Sequence, residues 1–124
     1  MTNQIQGEML FAGVDTNPVY TPWMPVRGDI ATFGVEVVER NGATLYWDVE
    51  TRTLESTNID SVFGTAPSSI TGTGVFLDTN NDATAPADVK AKELVRYKFT
   101  TGSTANTTDF VVFRALQPSW QNDR

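Results

Sequence analysis

The sequence predicts an all-β fold: an antiparallel β-sandwich of about seven or eight strands, immunoglobulin-like or jelly-roll. Three observations predict it. Apolar and polar residues alternate over short runs, the pattern of strands with one face on a core. Turn residues break those runs at short intervals. No long segment carries the apolar spacing of a helix packed on a core. The chain has 124 residues, of which 40% are hydrophobic, and this suits one domain, 1–124, with a modest core.

The elements follow in chain order. "IQGEMLF" near the start reads as a weak strand. "NPVYTPWMP" then holds Pro18, Pro22 and Pro25 around Tyr20 and Trp23. Prolines stiffen an extended chain and remove backbone donors, so this arm, about residues 17–27, is not a central strand. Next, Phe33, Val35 and Val37 alternate with Thr32, Gly34 and Glu36. Past a turn, Leu45, Trp47 and Val49 alternate with Thr44, Tyr46 and Asp48. A two-residue Asn41-Gly42 turn would set Val37 beside Tyr46 and Val35 beside Asp48. A loop of Arg40, Asn41 and Gly42 sets Val37 by Leu45, Val35 by Trp47 and Phe33 by Val49, which makes one face apolar. It also places Gly42 where a type I turn with a G1 bulge needs a left-handed residue. The expectation is a hairpin in that register.

"TNIDSVFGTAPSS" carries no clear pattern, and "SITGTGVFL" reads as a weak strand. "DTNNDATAPADVK" reads as a polar loop, with Pro86 against regular structure. "KELVRYKFT" puts Val95, Tyr97 and Phe99 on one face and Leu94, Arg96 and Lys98 on a solvated one. "TTGSTANTT" then predicts a hairpin loop into "DFVVFRAL", a strand apolar on both faces. Such a strand is central and covered on both sides, or it faces a partner subunit. A short C-terminal tail follows.

Composition excludes several functions. There is no cysteine and no histidine, so Cys or His nucleophile and base chemistry is absent, and an ordinary zinc or copper site has no ligands of its usual kind. A net charge of −6, with 9 basic and 15 acidic residues, opposes nucleic-acid binding. The scattered acids read as solubility. No apolar run is long enough to span a membrane, and "MTNQIQGEML" lacks the basic and apolar regions of a secretory signal.

Several short motifs also have plainer readings. Arg27-Gly28-Asp29 spells an adhesion tripeptide, but it sits just before a strand, and a charged turn launching that strand explains it. On that reading Arg27 and Asp29 take no part in partner binding. Asp78, Asn80 and Asp82 match positions 1, 3 and 5 of a calcium loop. Ala83 stands where the glycine belongs and Val89 where the closing glutamate belongs, so a solvated loop fits better. "VFLDTN" resembles the Asp-Thr-Gly of dimeric aspartic proteases, but Asn80 replaces the glycine and too little chain follows for a flap. Glu36 and Asp48 are a conceivable carboxylate pair on one polar hairpin face, where solubility is the plainer role. Asn106-Thr107-Thr108 matches a glycosylation acceptor in what reads as a polar loop. The aromatic residues carry more weight. Tyr20 and Trp23 in the arm, with Trp120 in "LQPSWQNDR", are candidate partner-binding residues. They would cap the sandwich ends, meet a neighbouring subunit or stack on a sugar ring.

"VYTPWMPVRGDIATFGVEVVERNGATLYWDVETRT" and "ELVRYKFTTGSTANTTDFVVFRALQPSW" together resemble the small β-sandwich structural proteins of tailed bacteriophages, especially head decoration (cement) proteins. The aromatic-proline arm, the Thr/Val strands and the Cys- and His-free composition carry the resemblance. It implies a non-enzymatic virion protein that binds and stiffens a capsid surface. The implied partners are the major capsid protein, other virion proteins and further copies of the chain. The implied location is the virion, assembled in the host cytoplasm, with no cofactor, metal, nucleic acid or membrane. The alternative expectation is a carbohydrate-binding module with exposed coplanar aromatics, Tyr20, Trp23 and Tyr46 being candidates.

Overall fold

The computed structural model describes residues 10–12, 18–63, 68–80, 91–102 and 109–121. Among these residues, ten strands form two antiparallel sheets. In chain order they are β1 (Leu10–Ala12), β2 (Val19–Tyr20), β3 (Met24–Pro25), β4 (Ile30–Asn41), β5 (Leu45–Arg52), β6 (Asp60–Ser61), β7 (Ser68–Ile70), β8 (Gly74–Asn80), β9 (Leu94–Thr101) and β10 (Phe110–Gln121). One sheet runs β1-β10-β4-β8. The other runs β2-β9-β5-β6, with β3 sharing the β9 edge with β2 and β7 sharing the β5 edge with β6. Each sheet is therefore four places wide.

The pairing is that of a jelly roll. The first place pairs with the last (β1 with β10), the second with the second last (β2 and β3 with β9), the third with the third last (β4 with β8). Only the middle pair, β5 with β6 and β7, joins neighbours in sequence. The chain is in effect one long hairpin rolled up, and most connections cross from sheet to sheet.

That topology corrects two expected hairpins. β4 and β5 do not pair: β4 lies between β10 and β8, and β5 between β9 and the short strands β6 and β7. Phe33, Val35 and Val37 face Leu45, Trp47 and Val49 across the core instead of lying beside them; all six are buried. Alternation says which side chains turn inward, and inward is the same direction for both arrangements. Gly42 does take the left-handed conformation, with φ 75°, and a side chain there would also meet the Asp109 carboxylate. The turn chemistry was legible, but it serves a crossing between sheets. β9 and β10 likewise lie in different sheets, so the expected hairpin between them is absent; residues 103–108 of its loop lie outside the described residues. "SITGTGVFL" is two strands, β7 and β8, in opposite sheets, with Gly74 at φ 126° where β8 starts. β8 also extends through Asp78 to Asn80, so the start of the expected polar loop is strand.

Asn80 shows why the calcium reading fails: it is buried, and its amide donates to the Val62 carbonyl at 2.7 Å, tying the two sheets together. Asp82, Ala83 and Val89 lie outside the described residues, as does Asn106. Of "IQGEMLF" only the end is described, as the start of β1. "DFVVFRAL" is a central strand, with Val111, Phe113 and Ala115 buried and Val112 and Leu116 half-buried on the outer face.

The core is aromatic at its centre. Phe33 meets Phe63, Tyr97 and Trp120 edge to face, with ring centroids 6.0, 5.9 and 6.0 Å apart. Tyr97 stacks on Phe99 at 5.6 Å, and Phe99 meets Phe113 at 4.7 Å. Tyr97 also solves a polar problem. Between the pairs Gly34–Leu116 and Thr32–Ser119, β10 carries one residue more than β4, a bulge that holds Gln117 and Pro118. At its lip the Gly34 N–H donates to the Tyr97 hydroxyl at 2.9 Å, and that hydroxyl donates to the Leu116 carbonyl at 2.7 Å. A side chain from the opposite sheet thus satisfies two backbone groups.

Candidate functional site

The aromatic arm is docked along the open edge of β9. β2 pairs Val19 with Phe99 and Tyr20 with Lys98, and β3 pairs Met24 with Val95. Pro22 interrupts the edge, and Thr21 bridges the gap. Its N–H donates to the Tyr97 carbonyl at 3.1 Å, and its hydroxyl accepts from the Tyr97 N–H at 2.9 Å. This fixes where Tyr20 and Trp23 emerge.

Both rings then engage arginines. The Arg96 guanidinium lies 3.9 Å from the Tyr20 ring centroid and 4.4 Å from that of Trp23, and Arg52 lies 4.8 Å from Trp23. Arg96 is in turn held by the Glu50 carboxylate at 2.9 Å, both side chains being mostly buried. Arg52 donates to the carbonyls of Thr53, Leu54 and Ser56, each at 3.2 Å. Trp23 is therefore a fixed wall with cations at its ring.

That wall borders a cleft of ≈ 230 Å³, lined by Trp23, Met24, Pro25, Arg27, Gln117, Pro118 and Trp120. Its origin is geometric. β1 covers β10 only from Val111 to Phe113, so the later half of β10 has no strand on that side among the described residues. The bulge and β3 frame the gap. Trp120 is half-buried, its ring edge-on to Phe33, so the core holds this wall as well.

Two of the three residues singled out from the sequence thus meet in one cleft, although 97 positions separate Trp23 from Trp120. Tyr20 does not line it; it is 38% exposed on the outer face of the β2–β9 sheet, next to Trp23 through Arg96. Arg27, set aside in the sequence as part of a charged turn, also lines the cleft. The turn at Gly28 and Asp29 does launch β4, but it packs on Gln121: the Asp29 N–H donates to the Gln121 carbonyl at 3.0 Å, and a side chain at position 28 would lie 2.8 Å from that oxygen. This contact brings Arg27 to the cleft. No local signal could have announced it, because it depends on where β10 ends.

The carboxylates separate. Glu36 pairs with Arg114 at 2.7 Å on the outer face of one sheet, whereas Asp48 lies on the outer face of the other. They do not form a catalytic pair across a cleft. Among the described residues no group of three or more acidic, His or Cys side chains is placed to hold a metal ion. Asp48 accepts from the Ser61 hydroxyl at 2.7 Å and from the Val49 N–H at 2.8 Å. Burial nevertheless raises its carboxyl above the ordinary 3.8, those hydrogen bonds opposing the rise.

The sign of the consequence follows from linkage. A carboxyl raised by folding binds its proton more tightly in the folded chain, so this group's contribution to stability falls as pH rises from 3.8 through the folded value. Asp48→Asn keeps an oxygen acceptor and removes the titration. Urea midpoints measured from about pH 3 to about pH 7 should show wild type losing ground to Asp48→Asn as pH rises. Parallel curves for the two proteins would contradict this.

Comparison with family models, with curated proteins and with solved structures gives no match.

Proposed function

We propose that the chain is a non-enzymatic structural protein that works by docking on a protein surface, as a capsid decoration protein of a tailed phage does. The observation that carries this reading is the cleft between β3 and β10. Its Trp23, Met24, Arg27 and Trp120 are of the residue types enriched where proteins meet. Its walls are held before any partner arrives, Trp23 by arginines and Trp120 by Phe33, so little order need be gained on binding. The jelly roll is a fold of capsid subunits and also of lectin domains, so architecture alone supports either of the two readings set out above. The carbohydrate reading draws less from the geometry. Tyr20 and Trp23 already carry guanidinium groups at their rings, which competes with stacking by a sugar.

The test is co-sedimentation with heads assembled from the major capsid protein of the same genome. Saturable binding is expected. Trp23→Ala should weaken it by about 30-fold or more, the scale of an interface hot spot, while Asp29→Ala leaves it within about twofold. Absence of binding by the folded chain, joined to retention on polysaccharide resin that Trp23→Ala abolishes, would transfer the site to the carbohydrate reading.

A further inference from the structure

The edges of the sandwich are unequal. β1 has three residues, β2 and β3 have two each around Pro22, and β6 and β7 have two and three. The part of β10 that β1 leaves uncovered carries a bulge and Pro118. Short length, proline and bulges are the usual means of blunting an edge. β8 has none of these three, and its only charge is Asp78, opposite Phe33. It runs seven residues, pairs with β4 without a register shift, and contains no proline, lysine or arginine. On its far side no strand pairs with it among the described residues. Its outward side chains Val75 and Leu77 are 55% and 63% exposed. Leu77 and Leu116 both crowd the space over Gly34, so apolar surface continues from β8 across the sheet to β10.

We propose that two copies of the chain pair through β8, antiparallel about a two-fold axis, joining their β1-β10-β4-β8 sheets into one. A long, regular edge with exposed apolar residues at its centre is a template for another strand, and among the described strands the one of matching length and face pattern is β8 itself. Pleat, charge and apolar pairing together select the register. Outward residues must oppose outward residues, so the axis passes through a residue and not between two. An axis at Phe76 sets Val75 of each copy against Leu77 of the other, gathering four exposed apolar side chains on one face. Asp78, the one charge on the strand, then opposes Gly74. An axis at Asp78 would set two carboxylates against each other, which chains of net charge −6 would resist. This surface lies on the opposite edge from the aromatic cleft and does not depend on it.

Sedimentation velocity of the full chain over a micromolar-to-millimolar series tests the proposal, with amide hydrogen exchange at both ends of the series. A monomer–dimer equilibrium is expected, with protection gained in Gly74–Asn80 as concentration rises. Val75→Lys with Leu77→Lys should move dimerisation to concentrations at least about tenfold higher. Both positions are exposed, so the fold should tolerate lysine there. Val38→Lys, at an exposed apolar site on β4, and Trp23→Ala should leave the equilibrium unchanged. A strict monomer at all concentrations overturns the proposal. So does a dimer that survives the double lysine variant, or one that Val38→Lys or Trp23→Ala dissolves, since contact would then lie on the sheet face or at the cleft.

Discussion

Phe33→Ala should be among the most damaging single substitutions, costing about 3–5 kcal/mol of folding stability. Phe33 is fully buried, and its ring meets Phe63, Tyr97 and Trp120 edge to face within about the same 6 Å. Removing it forfeits the transfer energy of the ring and leaves a cavity whose walls are other rings, anchored in both sheets and unable to collapse inward freely. The edge-to-face pairs add roughly 0.5–1.5 kcal/mol each beyond area. Equilibrium urea unfolding measures the loss. The same substitution removes the support behind Trp120, so the fluorescence of the folded variant should change and partner binding at the cleft should weaken. A cost below about 1.5 kcal/mol would show that the neighbouring rings repack, and that the cleft wall does not depend on Phe33.

Tyr97→Phe is the second large effect, and a more discriminating one. It keeps the ring, its stack on Phe99 and the packing volume. It deletes only the hydroxyl that accepts from Gly34 N–H and donates to Leu116 C=O. Each backbone group left unpaired away from water costs about 1–3 kcal/mol, so for the two a loss of about 2–6 kcal/mol is expected. The alkaline limb offers a second readout. Burial raises the Tyr97 phenol well above the ordinary 10.0. The folded chain therefore keeps a proton that the unfolded chain sheds, and stability falls as pH rises above about 10. Tyr97→Phe should be free of that particular decline. A variant as stable as wild type would mean that water enters the bulge or that β4 and β10 close it.

How far the sequence carried the fold is clearest at three sets of residues. Phe33, Val35 and Val37, then Leu45, Trp47 and Val49, then Val95, Tyr97 and Phe99 were all expected on inward faces, and all are buried. A strand's inward face is a local property with period two. Which strand lies beside it is not local: β4 finds β10 and β8, and neither adjoins it in the chain. Gly42 illustrates the limit, since a left-handed glycine suits a hairpin and a crossing equally. The site divides the same way. Tyr20, Trp23 and Trp120 stood out by residue type and proline context. Their arrangement, and the presence of Arg27 beside two of them, is set by the β10 bulge and by the packing of Gly28 on Gln121.

The pairing of first strand with last has a consequence for how the chain is made. A ribosome delivers β4 long before β10, and at about 5–20 residues per second the stretch from Asn41 to Phe110 takes seconds to emerge. Throughout that interval β4 lacks a neighbour on one side, and β1 has nothing to pair with at all. The inward ring of Phe99 waits for Phe113, and that of Phe33 waits for Trp120. Nascent chains crowded on one message would hold complementary apolar strands side by side before any of them could close. Copies that exchange β10 at this stage would satisfy the same ladder between two chains. Prompt arrival of β10 after β4 therefore favours closure within one chain over exchange between copies.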